Sequence, residues 1–390
     1  MHIDVNNAFL SWTAVDLLKK GYNIDIRTVE AVIGGDETKR HGIVLAKSPL
    51  AKKKGVKTAN TIRDAKRKCN NLMIFPPNHD LYHKESNKLF NLIRNYTPDI
   101  EILSVDECFI DYTKVRGLYG EPIKFAYKLK QEIKNKLGIT VNIGIANNKL
   151  CAKMASDFEK PDKVHTLFTN EVKNKMYPLP IEDLYGVGKS SSKKLRELKI
   201  NTISDLANAD YTLLYKYFKN QTKRLINSAK GIDDGVITVH KNEVDIISKS
   251  ITTPYNLNKL NDIYEFMYPL VENVCFQLKN GKKYAMQIGV ILKDKNFKTV
   301  SHQKKLKNAT NNIDTIYNHV KELVKELWNN QSIRLVGVSV GKLTNKLSHQ
   351  ISLFEDINKV ENDNKLDNVI NELKRNFGNN IIDKASKLEK

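Results

Sequence analysis

The sequence predicts an α+β protein built from several domains, on three observations. Over residues 1–168 short apolar runs alternate with stretches of helical periodicity, residues 169–235 carry helical spacing without strand patterning, and residues 246–344 follow a β-α-β-β-α-β order. At 390 residues the chain is long enough for about two to four such units, each with its own core.

In the first stretch, Phe9–Lys19 reads as a helix, Thr28–Ile33 and Gly42–Ala46 as strands, and Ile62–Lys68 as a short helix after Asn60-Thr61, with Pro76-Pro77 closing the segment. Asp80–Asn95 is helical, and Ile100–Asp111 reads as a strand pair. Ile123, Ala126, Leu129, Ile133 and Leu137 mark an amphipathic helix, and Thr140–Ile145 a further strand. The expected result is helices on a small, mostly antiparallel sheet.

Leu184-Tyr185-Gly186-Val187-Gly188-Lys189, followed by Leu195, Leu198 and Ile200, reads as a helix-hairpin-helix, whose glycines let backbone N–H groups approach a phosphate closely. A plain glycine-containing turn is the alternative; the neighbouring Lys189, Lys193, Lys194 and Arg196 favour contact with DNA. A polar connector over 236–245 leads to the last pattern: strand Ile246–Ile251, helix Ile263–Leu278, strands Tyr284–Leu292 and Lys298–Leu306, helix Ile313–Leu327 and strand Arg334–Val340.

A net charge of +20 and a pI near 9.5 fit a polyanionic partner better than a small metabolite. No apolar run approaches the roughly 20 residues that cross a bilayer, and no signal-peptide pattern opens the sequence, so the expectation is a cytoplasmic protein without a membrane partner. Cys69, Cys108, Cys151 and Cys275 lie far apart with no C-x-x-C spacing, which argues for reduced thiols and against zinc or a disulfide framework.

The strongest chemical signal lies in Ile100-Glu101-Ile102-Leu103-Ser104-Val105-Asp106-Glu107-Cys108-Phe109-Ile110-Asp111, where Asp106 and Glu107 interrupt an apolar run. Buried carboxylates must be paired, protonated or metal-bound. A further acid, Asp4, sits in the short apolar run His2-Ile3-Asp4-Val5, so an oxygen-only ligand set for a hard ion such as Mg2+ is available. Successive strand residues face opposite sides, so Asp106 and Glu107 can serve one site only where the chain turns; an ordinary acidic turn is the competing reading.

Asp4-Val5-Asn6-Asn7-Ala8-Phe9, then Ser104-Val105-Asp106-Glu107, Asn142 through Asp157 with Lys160-Pro161, and Gly186-Val187-Gly188-Lys189 together resemble the Y-family translesion DNA polymerases over roughly residues 2–345. The resemblance implies a right-hand polymerase: palm at 1–10 and 79–168, fingers at 11–78, thumb at 169–235, linker at 236–245 and little finger at 246–344. It further implies that Asp4 and Asp106 bridge two Mg2+ ions, that Glu107 binds the primer-side ion and that the Val5 carbonyl completes the nucleotide-side ion. Backbone N–H groups of Asn7, Ala8 and Phe9 would meet the triphosphate with Lys52 and Lys160, and the Phe9 ring would act as a steric gate against the sugar 2'-hydroxyl. Without the resemblance, Phe9 reads as a core residue.

Some positions depart from that pattern. Where many members carry Thr and Tyr followed by Arg in the fingers, this chain has Ala46-Lys47-Ser48-Pro49-Leu50-Ala51-Lys52, which leaves Lys52 as the retained cation and Lys47 or Ser48 as candidate substitutes. Asn6 stands where an acid is common, and with only three residues before Asp4 the first strand is expected to be short. Gly34-Gly35-Asp36-Glu37-Thr38 resembles the signature of diguanylate cyclases, but only 33 residues precede it, too few for that domain, and it is read as a turn.

The tail, 345–390, is polar apart from Gln350-Ile351-Ser352-Leu353-Phe354. That island resembles the short motif with which bacterial polymerases bind the sliding clamp, with Gln350, Leu353 and Phe354 as its anchors; packing on its own domain is the alternative. The functional expectation is a monomeric DNA-directed DNA polymerase acting on primer-template DNA and deoxynucleoside triphosphates in translesion synthesis. The competing reading is a catalytically weak DNA- and clamp-binding accessory protein.

Overall fold

Four residues at the head of the chain form the middle strand of the first sheet. The computed structural model describes residues 1–36, 42–239, 245–345 and 369, and the chain divides into two units, 1–241 and 242–390.

The first unit runs β1 (His2–Val5), α1 (Ala8–Lys19), β2 (Ala31–Gly34), β3 (Val44–Lys47), α2 (Pro49–Lys53), α3 (Ile62–Lys68), β4 (Met73–Phe75), α4 (His79–Arg94), β5 (Ile100–Ile102), β6 (Glu107–Ile110), α5 (Arg116–Tyr119), α6 (Pro122–Leu137), β7 (Val141–Ala146), α7 (Lys149–Asp157) and β8 (Val164–Leu167). The main sheet has the order β5-β6-β1-β7-β8, antiparallel except for the β7–β8 pair. Alternation gives it two characters. Ile3, Val5, Cys108, Ile110, Ile143 and Ile145 join the core with Leu89, Ile93, Leu129 and Ile133, whereas His2, Asp4, Glu107, Asn142 and Gly144 share the other face by register.

α7 lies directly on that second face. A Cβ at Gly144 would stand 1.9 Å from the Ala152 carbonyl oxygen and 2.6 Å from the Ser156 nitrogen, so only glycine admits the helix backbone this close. A smaller sheet, β3-β2-β4, packs α3 and α2 through Val32, Val44, Ala51, Ile62 and Ala65. Helices α8 (Lys189–Glu197), α9 (Ile203–Ala207), α10 (Tyr211–Phe218) and α11 (Thr222–Ala229) complete the unit around Leu184, Leu195, Ile203, Leu206 and Leu214.

In the second unit, β9 (Ile246–Leu257), α12 (Leu260–Asn280), β10 (Tyr284–Asp294), β11 (Thr299–Thr310), α13 (Ile313–Leu327) and β12 (Ile333–Thr344) form an antiparallel sheet of order β11-β10-β12-β9. Both helices lie over a core that includes Ile288, Val290, Leu292, Val336 and Val338. Registers place Ser248, Ser250, Gly289, Ser301, Gln303, Lys305, Gly337 and Ser339 on the opposite face together with Ile291, a surface made largely of small and polar residues.

Several boundaries differ from the sequence reading. β2 starts at Ala31 because residues 25–28 are a turn, with the Thr28 N–H donating to the Asp25 carbonyl at 2.9 Å. β9 continues six residues past Ile251, and it tolerates Pro254 because it is an edge strand. β4 and β8 were not anticipated: each is short and pairs in parallel with a strand distant in sequence, β2 and β7, so no local signal marks it. The first arm of the expected helix-hairpin-helix is a π turn at Val172–Met176 and a 3-10 turn at Ile181–Asp183 rather than one regular helix. Glu37 and Thr38 of the expected turn, and Gln350, Leu353 and Phe354, lie outside the described residues.

Candidate active site

The register of β1 gathers the acids. Asp4 lies opposite Glu107 on one side and Asn142 on the other. β6 begins only at Glu107; just before it, the Leu103 and Ser104 N–H groups both donate to the Glu107 carbonyl (3.1 and 3.4 Å), and the Val5 N–H donates to the Asp106 carbonyl at 3.0 Å. The turn over 103–106 therefore removes the constraint that would send adjacent strand carboxylates to opposite faces. Asp106 is near enough to Asp4 for its charge to add to burial, the larger effect, in lifting the Asp4 carboxyl above its ordinary range.

Each acid has its own local partner. Asp4 pairs with Lys160, whose ammonium also lies 2.7 Å from Asp157 Oδ1. Asp106 Oδ1 accepts from Ser104 Oγ at 2.5 Å. Glu107 pairs with Lys153, and His2 Nε2 stands 3.2 Å from the same carboxylate oxygen. The His2 imidazole and then Lys153 hold the Glu107 carboxyl down to about 2, while burial pushes the His2 pKa down. His2 Nδ1 meets Ser156 Oγ at 2.8 Å, so the ring is fixed between α7 and the carboxylate.

Among the described residues, no group of three His, Cys, Asp or Glu side chains is gathered closely enough to hold an ion as it stands. The donor chemistry nonetheless fits a hard divalent ion. The three side chains are carboxylates on neighbouring backbone positions, and two of them already carry an ammonium that such an ion can replace.

The loop bearing Lys160 is tied to the sheet by asparagines. Asn142 Nδ2 donates to the Ser156 and Glu159 carbonyls at 2.9 and 2.6 Å, its Oδ1 accepts from Asn6 Nδ2 at 3.0 Å, and Asn6 Oδ1 accepts from the Asp162 N–H at 2.8 Å. A neutral amide at position 6 is what this network uses, because it must donate and accept at once. Sequence reasoning assigned no role to His2, Lys153 or Asn142. His2 was accessible from the two-residue strand period that puts it on the face of Asp4, whereas the other two depend on register and helix docking.

Phe9 sits in the first turn of α1, half-buried and stacked on Tyr82 at 4.4 Å with the planes 10° apart. The α1 ladder starts with the Ser11 N–H donating to the Asn7 carbonyl, which leaves the Ala8, Phe9 and Leu10 N–H groups without an intrahelical acceptor. Asn7 is exposed in the left-handed region (φ 51°), and its Nδ2 donates to the Lys47 carbonyl at 2.7 Å, joining the helix start to β3. Ser48 is fully buried and accepts from the Ala31 and Ala51 N–H groups, which makes it a structural cap rather than a phosphate ligand. Lys47 donates to Thr58 Oγ1 at 2.9 Å; burial and the neighbouring Lys52 charge lower its pKa.

Away from the acids, Gly186 adopts φ +93°, a region that favours glycine. Gly188 has an ordinary φ of −83° and open space where a Cβ would sit, so the fold itself does not demand glycine there. Lys189 is exposed as the first residue of α8.

Family models match three successive stretches: "impB/mucB/samB family" at residues 3–157, "IMS family HHH motif" at 169–200 and "impB/mucB/samB family C-terminal domain" at 245–353. A DNA polymerase IV of Clostridium acetobutylicum is 43% identical over 390 residues, covering 100% of this chain and 98% of that protein. The chain belongs to the Y family of DNA polymerases. A DNA polymerase IV of Moorella thermoacetica is 34% identical over 93% of this chain and 91% of its own length. In three dimensions, a Dbh–Dpo4–Dbh Y-family polymerase chimera matches 88% of this chain and 99% of its own with a TM-score of 0.77, at 24% identity. An insertion ternary complex of Dbh DNA polymerase matches the same shares at 25% identity and a TM-score of 0.58. As a Y-family member the chain is a DNA-directed DNA polymerase of the translesion type, and the accessory-protein reading is not favoured.

Proposed function

We propose that this Y-family polymerase adds deoxynucleotides to a primer 3'-hydroxyl through a reaction centre formed by Asp4, Asp106, Glu107 and the Val5 carbonyl, which would hold two Mg2+ ions. The observation that carries the assignment is the register: Asp4 faces Glu107 across β1 and β6, and the Val5 N–H is bonded to the Asp106 carbonyl. When bound, the ions would activate the primer hydroxyl and offset the charge of the triphosphate.

The protein's own groups supply position. Lys160, held over Asp4 by the asparagine network, turns to the triphosphate. Lys52, the retained cation, binds it from the fingers, joined by Lys47. The free N–H groups at the start of α1, including those of Ala8 and Phe9 beside Asn7, face the same phosphates. The Phe9 ring, stacked on Tyr82, excludes a 2'-hydroxyl.

Palm at 1–10 and 79–168, fingers at 11–78, thumb at 169–235, linker at 236–245 and little finger at 246–344 divide the work. Gly186, Gly188 and Lys189 grip a primer phosphate. The Ser- and Gly-rich sheet face of the little finger admits a DNA backbone closely, which its small side chains favour. Gln350, Leu353 and Phe354 dock a monomeric, cytoplasmic enzyme on the sliding clamp.

Asp106→Ala tests the centre. Primer extension with Mg2+ should be abolished while primer-template affinity stays within about tenfold, because phosphate contacts elsewhere supply most binding. Measurable extension by the pure variant would sink the assignment.

A further inference from the structure

Lys153 has no part in the chemistry assigned so far, yet its ammonium contacts Glu107 Oε2 and lies 5.2 Å from the Tyr185 ring centroid. Its side chain is only 13% exposed. The helix that carries it is fixed: Gly144 brings the backbone of α7 onto β7, and Asn148 caps the helix by accepting from the Cys151 N–H at 2.8 Å.

Tyr185 precedes Gly186 in the thumb hairpin, is 49% exposed, and its N–H donates to Met154 Sδ at 3.3 Å. The Lys153 ammonium thus touches at once an acid of the proposed reaction centre and an aromatic face at the edge of the hairpin proposed to bind phosphate. With a divalent ion held by Glu107, the Lys153 ammonium would have to leave that oxygen, since two cations cannot share it without strong repulsion. The contact with the Tyr185 ring would remain, beside Gly186 of the hairpin proposed to bind phosphate. Lys160 on Asp4 is the matching arrangement at the other acid.

We propose that Lys153 is a positioning residue that occupies Glu107 in the metal-free enzyme and passes its ammonium to a phosphate near the primer terminus when a divalent ion takes its place. The proposal rests on the reading of Glu107 as a metal ligand. It implies that the primer and the ion bind together more readily than either binds alone, because each receives what the other frees.

Two measurements on the full-length protein test it. For Lys153→Met, Mn2+ titrated into DNA-free enzyme and followed by electron paramagnetic resonance should bind more tightly, by about fivefold, the scale set by the lost ion pair. In the same variant, primer-template affinity measured with Mn2+ present should fall by about threefold or more, the loss of one phosphate contact, and Lys153→Arg should restore it. A residue that merely supports the fold would weaken both, so opposite signs are the signature. Unchanged Mn2+ affinity, or unchanged primer affinity, overturns the proposal. Glu107→Gln separates the two layers: if it binds Mn2+ like wild type, the ligand assignment itself is wrong, whereas weakened binding there with no effect of Lys153→Met refutes only the exchange. Lys153→Gln replaces the Met variant if the latter melts below wild type.

Discussion

Replacing Asn142 by Ala asks whether the sheet positions the Lys160 loop. Asn142 is fully buried and makes four hydrogen bonds, donating to the Ser156 and Glu159 carbonyls and accepting from Asn6 Nδ2 and, at 3.3 Å, from the Lys163 N–H. Truncation removes all four, but Glu159 and Lys163 are exposed residues where water can take over. Asn6 and Ser156 are buried, so Asn6 Nδ2 and the Ser156 carbonyl lose a partner that water replaces poorly.

Each buried group left unsatisfied costs ~1–3 kcal/mol, and the space left by the amide adds roughly 1 kcal/mol. The total is about 3–7 kcal/mol, which for a unit of this size lowers the melting temperature by roughly 6 °C or more. Because the same bonds hold Lys160 over Asp4, the KM for the incoming nucleotide should rise by about tenfold, the scale of one charge-assisted hydrogen bond, with a smaller fall in kcat. Thermal melts followed by circular dichroism and single-nucleotide kinetics below the melt supply both numbers. A melting temperature within about 2 °C of wild type would show that the network does not hold the loop, and an unchanged KM in a destabilised variant would detach Lys160 from the triphosphate.

Phe9→Ala should raise ribonucleotide use relative to deoxynucleotide use in single-nucleotide kinetics; unchanged discrimination would return Phe9 to a packing role against Tyr82. Leu353→Ala with Phe354→Ala should cost at least about 2 kcal/mol of clamp binding, abolish clamp-stimulated synthesis on long templates and leave short-primer extension intact; unaltered clamp affinity refutes the docking assignment. The Glu107 carboxyl is depressed from 4.5 to about 2 in the folded chain, so the unfolded chain takes up its proton first as pH falls. Its contribution to stability is therefore present above pH 4.5 and lost on descent toward pH 2. Glu107→Gln should flatten the acid limb of a melting-temperature profile in that window, and an identical limb would show that the His2 and Lys153 contacts do not form.

The helices that differ least from their sequence reading, Ile62–Lys68 and Ile313–Leu327, each start at a side-chain cap: Thr61 and Asn312 accept from the backbone N–H three residues on. The carboxylates were equally visible, because acids in apolar runs stand out at any position. Whether Asp106 and Glu107 could serve one site was not visible. That depends on β6 beginning at Glu107, and hence on a turn stabilised by bonds to residues on both sides of it. Ser48 shows the opposite outcome, a candidate ligand that tertiary packing turned into a cap.

The sequence by itself determined the α+β class, the helix-forming stretches, the acids and the cationic character, all of which follow from local pattern and composition. The tertiary structure decided which cation each acid meets. Lys160 lies 156 residues from Asp4 and Lys153 46 residues from Glu107, and their pairing is set by the register of β1 and by the close approach of α7 at Gly144. Contacts of that kind leave no periodicity in the chain, because they are fixed by packing between elements rather than by the conformational preference of any one of them.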